Sequence, residues 1–136
     1  MKIHAFVKPK EEVDFIYDDN TISEVLTKME IHRYTSIPII NREGSYVGTL
    51  TEGDLLWHIK KTPHFDLNKV EKMKVSSVKR QRDYEAIHIE ANIDELIIKA
   101  SNENFVPVLN DQNLFIGIVT RKTLLNYFFE HNFIVL

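Results

Sequence analysis

Two stretches of this chain, YVGTLTEGDLLW at residues 46–57 and FIGIVTRKTLLN at residues 115–126, carry one pattern in a fixed register. Subtracting 69 from Pro107, Asn110, Gly117, Thr120, Leu124 and Leu125 lands on Pro38, Asn41, Gly48, Thr51, Leu55 and Leu56, an identity each time. Between them apolar character persists: Val106 falls on Ile37, Val108 on Ile39, Phe115 on Tyr46 and Val119 on Leu50. Upstream the register becomes 71, where Glu95 meets Glu24. The first copy therefore holds two extra residues before its proline, and such an insertion belongs at a helix end. Self-similarity at a fixed spacing confines the chain to folds made of one small unit used twice.

Each copy reads as the same succession of elements. Phe15-Ile16-Tyr17 and Ile87-His88-Ile89 are short strand candidates, each followed by a helix-start signal. Thr21-Ile22-Ser23-Glu24 has the form of a capping box, and Asn92-Ile93-Asp94-Glu95 repeats it with asparagine. Ile22, Val25, Leu26 and Met29 share one helical face, as do Ile93, Leu96, Ile97 and Ala100. Ile37-Pro38-Ile39-Ile40 and Val106-Pro107-Val108-Leu109 then form strands, each joined through a polar turn to a β-branched run ending in threonine. Proline cannot donate to a ladder, so Pro38 and Pro107 are expected at a strand start or on an edge. The order strand, helix, strand, strand, helix occurs twice and defines an α/β (α+β) fold of two tandem β-α-β-β-α repeats. Residues 1–66 are assigned to the first repeat with its N-terminal segment. Residues 67–136 take the linker and the second repeat, and one short helical stretch is expected at 69–73 within the lysine-rich connection of 62–83.

Composition excludes several function classes. With 136 residues, 43% hydrophobic and 27% charged, the chain can bury a core of ordinary size. The absence of cysteine removes disulfides, thiolate metal sites and thiol redox chemistry, and makes a cytoplasmic setting the expectation. No apolar run approaches the roughly 20 residues that span a bilayer, and MKIHAFVKPKEE lacks the apolar stretch of a secretory leader. A soluble, unprocessed chain with no membrane partner is expected. A net charge of −3 gives no broad attraction for nucleic acid. Lys69, Lys72, Lys74, Lys79, Arg80 and Arg82 do make the linker basic, with Tyr84 following, which is a nucleic-acid cue. A solvated linker is the preferred reading, and a phosphate contact is the other alternative. The six histidines show no metal-ligand spacing, and the four glycines form neither a phosphate loop nor a nucleophile elbow, so enzymatic activity is not expected.

The pattern apolar-Pro-apolar-apolar, turn, apolar-Gly-apolar-apolar-Thr-x-x-Asp-Leu-Leu, written twice, resembles a CBS-domain pair, or Bateman module, over nearly the whole chain. Within that family Arg33-Tyr34-Thr35-Ser36-Ile37-Pro38-Ile39 and Asn104-Phe105-Val106-Pro107, with Thr120-Arg121-Lys122, are most similar to small stand-alone bacterial CBS-domain proteins, some of which bind cyclic di-AMP. The resemblance implies two repeats related by a pseudo-twofold axis, clefts between them, and an adenine nucleotide (AMP, ADP, ATP or cyclic di-AMP) as regulatory ligand, with no cofactor. Its implied nucleotide-binding residues are Tyr34, Thr35, Ser36, Ile37, Pro38, Thr51 and Asp54 in the first copy. In the second they are Phe105, Val106, Pro107, Thr120, Arg121, Lys122 and Thr123.

The helix-opening loops differ in charge. Thr51-Glu52-Gly53-Asp54 offers a carboxylate that can accept from ribose hydroxyls, as the family's aspartate does, or simply cap its helix. Thr120-Arg121-Lys122-Thr123 has no acid, so two equivalent AMP sites are not expected. Cations in the first turn oppose the helix dipole at a cost on the order of 0.3–1 kcal/mol each. Either phosphate offsets that cost, through backbone amides and bidentate guanidinium geometry, or the side chains extend into water and pair with nearby acids. Finally, the run 124–136 together with Trp57 has more apolar surface than one helix face buries. A homodimer interface is expected there, with a tail folded back on its own unit as the alternative. The function expected is a non-catalytic regulatory sensor that signals to a partner protein. The alternative is a ligand-free interaction or dimerisation module with degenerate clefts.

Overall fold

The computed structural model describes residues 2–131, which form two compact units. One runs from Asp14 to Asp83, and the other joins the N-terminal segment up to Val13 with the chain from Tyr84 onward. The units therefore divide differently from the sequence boundary at 66/67. The N-terminal segment packs with the second copy, and the linker packs with the first.

In the Asp14–Asp83 unit, β2 (Ile16–Tyr17) pairs parallel with β3 (Ser36–Ile40), which pairs antiparallel with β4 (Tyr46–Thr51). The helices are α1 (Ile22–His32), α2 (Glu52–Lys61) and α3 (Leu67–Lys72). The other unit has a four-stranded sheet in the order β1 (Lys8–Pro9), β7 (Phe115–Thr120), β6 (Phe105–Leu109), β5 (Ile87–His88), with α4 (Ile93–Asn102) and α5 (Arg121–Glu130). The repeated strand, helix, strand, strand, helix order is present in both. α1 begins at the expected box: the Glu24 amide donates to Thr21 Oγ1 at 3.2 Å, and the Glu24 carboxylate accepts from the Thr21 amide at 3.1 Å. It is one residue longer than α4 and closes on Arg33 in the left-handed region, so the insertion does sit at a helix end.

Pro38 and Pro107 depart from expectation, since both are the third residue of the central part of their sheets. The physical reason is the shortness of β2 and β5. These reach only Ile39–Ile40 and Val108–Leu109, so at each proline the sheet is laddered on one side alone.

The linker departs too. Lysines face water, but Val70, Val75 and Val78 enter the same core as Ile22, Val25, Ile37 and Leu50. In the other unit Ile3 and Phe6 do the same beside Leu96, Val106 and Val119. Each lead-in begins with a 3-10 turn, at Ile3–Phe6 and Val75–Ser77, and each is tied by a bridge to the residue before a helix: Lys2 with Asn92, and Lys74 with Thr21. A small sheet with helices on one face buries too little by itself, and these aliphatics extend its core. The repeated glycines make room for the lead-ins. A Cβ on Gly117 would stand 2.2 Å from the Lys8 carbonyl oxygen, and one on Gly48 would stand 2.3 Å from Asp83 Oδ1.

Ile3 is fully buried although it lies at the extreme start of the described chain. Ile3→Ala is expected to cost about 3 kcal/mol, as an interior isoleucine does. Urea denaturation checks this, and a loss below about 0.5 kcal/mol, typical of surface sites, would show that the lead-in is not part of that core.

Candidate functional site

Each unit sets a strand start beside a helix start. In the first copy Ser36 lies opposite Thr51 and Ile37 opposite Leu50, and the Glu52 amide donates to the Thr35 carbonyl at 3.0 Å. Tyr34, Thr35 and Ser36 are thereby held next to the α2 cap. In the second copy Phe105 lies opposite Thr120, and the Arg121 amide donates to the Asn104 carbonyl at 2.9 Å. Of the residues implied for nucleotide binding, Thr35, Lys122 and Thr123 are exposed, and Tyr34, Thr51, Thr120 and Arg121 are partly so. Ser36, Pro38, Phe105 and Pro107 are buried, and Ile37 and Val106 belong to the two cores. Those six hold the ladders in place; the solvent-reaching chemistry is concentrated at the helix-opening turns.

Asp54 is only 3% exposed. Its Oδ2 accepts from the Thr51 amide and its Oδ1 from the Gln81 amide, both at 3.1 Å, while the Asp54 amide donates to Thr51 Oγ1 at 3.1 Å. The carboxylate expected at a ribose is thus occupied by backbone donors in this structure. Each oxygen keeps acceptor capacity beyond these bonds, but at 3% exposure a ribose has little access to it. In the second copy Thr123 keeps the cap, its amide donating to Thr120 Oγ1 at 3.1 Å. The lead-in residue that matches Gln81, in the 72-residue register set by Lys2 and Lys74, is Pro9. Proline has no amide hydrogen to satisfy, which explains why the second copy manages without an acid.

Arg121 also finds a partner inside its own unit. Its Nε donates to the Ala100 carbonyl at 2.8 Å, in the last turn of α4. A cation there satisfies an orphan carbonyl and complements the negative helix end, which offsets the cost of placing it in the first turn of α5. Among the described residues the recorded bond of the guanidinium is the one through Nε. Lys122 is exposed beside it.

Tyr34 donates to the Asp14 carboxylate, and the His32 ring stacks on it with centroids 5.2 Å apart and planes 19° apart. The hydrogen bond to Asp14, with partial burial and the carboxylate charge added, pushes the Tyr34 phenol up to about 12. Asp14, Gln81 and Ala100 carry no sequence signal of these contacts. The lead-ins do carry one: Met1-Lys2-Ile3 returns as Met73-Lys74-Val75.

These paired shelves define a tandem repeat protein with two helix-opening sites, and the chain belongs to the CBS domain family, which it matches at residues 6–61 and 75–130. Its structure is similar to a crystal structure of CbpB in complex with c-di-AMP, with 25% identity, a TM-score of 0.86, and coverage of 98% of this chain and 89% of that one. It is also similar to the CbpB protein of Listeria monocytogenes in complex with c-di-AMP, at 21% identity and a TM-score of 0.82, over 96% of this chain and 97% of that one. An uncharacterised protein of Rickettsia prowazekii is 26% identical over 92% of this chain. The chain spans 37% of that relative's length.

Two outcomes follow. Asp54→Ala strips the acceptor from two backbone amides and is expected to cost about 2 kcal/mol, against under about 0.5 kcal/mol for Thr123→Ala; equal losses in urea denaturation would contradict the accounting. Because the Tyr34 pKa is raised in the folded state, its bond contributes stability below the free tyrosine value and loses it as pH rises through about 12. Spectrophotometric titration should therefore show one of the five tyrosines ionising last, and Asp14→Asn should return it to the others.

Proposed function

We propose that this protein is a non-catalytic regulatory sensor that binds an adenine nucleotide at the helix-opening turns of its CBS repeats and signals its occupancy to a partner protein. The observation behind this reading is Arg121. Its guanidinium is anchored through Nε on Ala100, beside the first amides of α5 and the exposed Lys122. An anchored guanidinium and a second cation side by side suit a phosphate. Membership of the CBS domain family and the likeness to c-di-AMP-bound CbpB add support and favour cyclic di-AMP among the adenine ligands. A homodimer in the cytoplasm belongs to the same proposal. Leu125 and Phe129 on α5 are 51% and 60% exposed, an apolar face suited to self-association. No described helix is long and apolar enough to cross a membrane. The part of the expected apolar tail from Asn132 onward lies outside the described residues.

The occupied state of Asp54 favours a second reading, an interaction module without nucleotide binding, because its carboxylate is already committed to backbone amides. A thermal-unfolding screen with AMP, ADP, ATP, cyclic di-AMP and a guanine-nucleotide control separates the two. A ligand at about 100 times its dissociation constant adds about 2.7 kcal/mol, a shift of several degrees. Stabilisation by an adenine ligand is expected, and silence across the panel would leave the interaction module. Calorimetric titration then tests the site: Arg121→Ala should weaken the phosphate-bearing ligand by about tenfold or more and leave adenosine unaffected. Equal losses for both would remove Arg121 from phosphate binding.

A further inference from the structure

We propose that a cavity within the Asp14–Asp83 unit is a binding site for a small organic phosphate, adjoining the first helix-opening turn through Gln81, which lines the cavity and donates its amide to Asp54. The cavity has a volume of about 390 Å³ and is lined by Trp57, His58 and Lys61 of α2 and by Ser77, Lys79 and Arg80 of the lead-in. Three cations are among its described lining residues, Arg80 being ion-paired with Asp83 at 2.7 Å. Arg80 is held in place rather than loose: its Nε donates to Asp83 Oδ1 at 2.7 Å, and that same oxygen accepts from the Thr49 amide at 3.0 Å. Gly48 is what lets this pair lie against β4, since a Cβ there would meet both side chains. The guanidinium is thus tethered to the sheet while two lysines bring further positive charge to the same opening.

A second observation concerns the histidine of the lining. The Nε2 atom of His58 is buried and has no hydrogen-bond partner among the described residues. Leaving a polar atom in that state is costly, and such atoms call for an explanation in function.

The other unit serves as an internal control. In the 69-residue register Trp57, His58 and Lys61 correspond to Asn126, Tyr127 and Glu130, and in the lead-in register Val78 and Lys79 correspond to Phe6 and Val7. There Tyr127 packs edge-on against Phe6, with centroids 4.9 Å apart, so two aromatic rings stand where the first copy has a histidine and a valine. The charge of Lys61 is inverted at Glu130. Of the three cations only Arg80 has a cationic counterpart, Lys8, so the same architecture forms without the other two and without the histidine, and the fold alone gives no reason for the convergence of Lys61 and Lys79. Like charges gathered around one opening repel, and an anion relieves that repulsion. The volume exceeds what one phosphate group needs and falls within the range of small-ligand pockets, roughly 300–1,000 Å³. The indole of Trp57, 42% exposed, gives the organic part of the ligand an apolar surface.

Trp57 is the single tryptophan of the chain, so its fluorescence reports on this cavity directly. The intact protein is titrated with sodium phosphate and with phenyl phosphate at constant ionic strength, using chloride as reference; neither anion carries adenine, so nucleotide binding is not at issue. A saturable emission change is expected, at lower concentration for phenyl phosphate. Equal affinity for the two would support an anion site for inorganic phosphate in place of an ester. Lys61→Glu, which installs the charge found in the second copy, should raise the dissociation constant at least tenfold, and Lys79→Ala should raise it severalfold. Lys72→Glu makes the same change of net charge at an exposed lysine outside the cavity and should leave the constant within twofold. A linear drift without saturation overturns the proposal, and so does a loss in Lys72→Glu equal to that in Lys61→Glu.

Discussion

The packing of the lead-ins is what the rest of the structure depends on. Each β-α-β-β-α copy covers its sheet with two helices, but the core closes only when a preceding segment adds its aliphatics: Ile3 and Phe6 in one unit, Val75 and Val78 in the other. The N-terminal segment completes the unit of the second copy, and the segment between the copies completes that of the first. A cut at residue 66/67 would therefore leave both cores open. Each lead-in belongs to one core, and losing it exposes apolar surface in the unit it completes. The repeated glycines at 48 and 117 serve this arrangement, as both stand where a lead-in comes within contact of the last strand.

Much of the fold was legible because its signals are local. The capping boxes, the apolar helix faces and the threonine at the end of each hairpin depend on neighbours three or four residues away, and the 69-residue register tested them twice. The lead-ins were missed because their repeat runs in a different register, 72, and their valines are scattered among lysines in a stretch that reads as solvated. Pro38 and Pro107 are expected at a strand start or on an edge for a sound reason, but the rule assumes neighbours of full length. Here β2 and β5 are two residues long, and shortness of a partner strand is not visible from the proline itself.

The candidate site was half legible for a related reason. The contrast between an acidic and a basic helix start is plain in the sequence, while its cause is long-range. Asp54 answers the amide of Gln81, and the matching residue in the other unit, Pro9, has none. Arg121 answers the carbonyl of Ala100, twenty-one positions away. Thus a difference that could be assigned wholly to ligand chemistry is at least partly the chain's own hydrogen-bond accounting. Reading a motif residue as a ligand contact needs the identity of the backbone groups around it, and only the fold supplies that.

The same hydrogen bond links the two proposed sites in the first copy. Gln81 ties its amide to Asp54 at the start of α2, and with its neighbours Arg80 and Lys79 it lines the basic cavity further along that helix. A ligand that drew Asp54 toward a ribose at the expense of the Gln81 bond would act on the few residues that an anion on Arg80 and Lys79 restrains. Two ligands acting on one segment cannot be energetically independent: if the anion holds 79–81 in place, it opposes the release of Asp54, and by linkage the nucleotide weakens the anion to the same extent. The segment 79–83 is then the element through which each site biases the other, a negative coupling with its sign fixed by which bond must break.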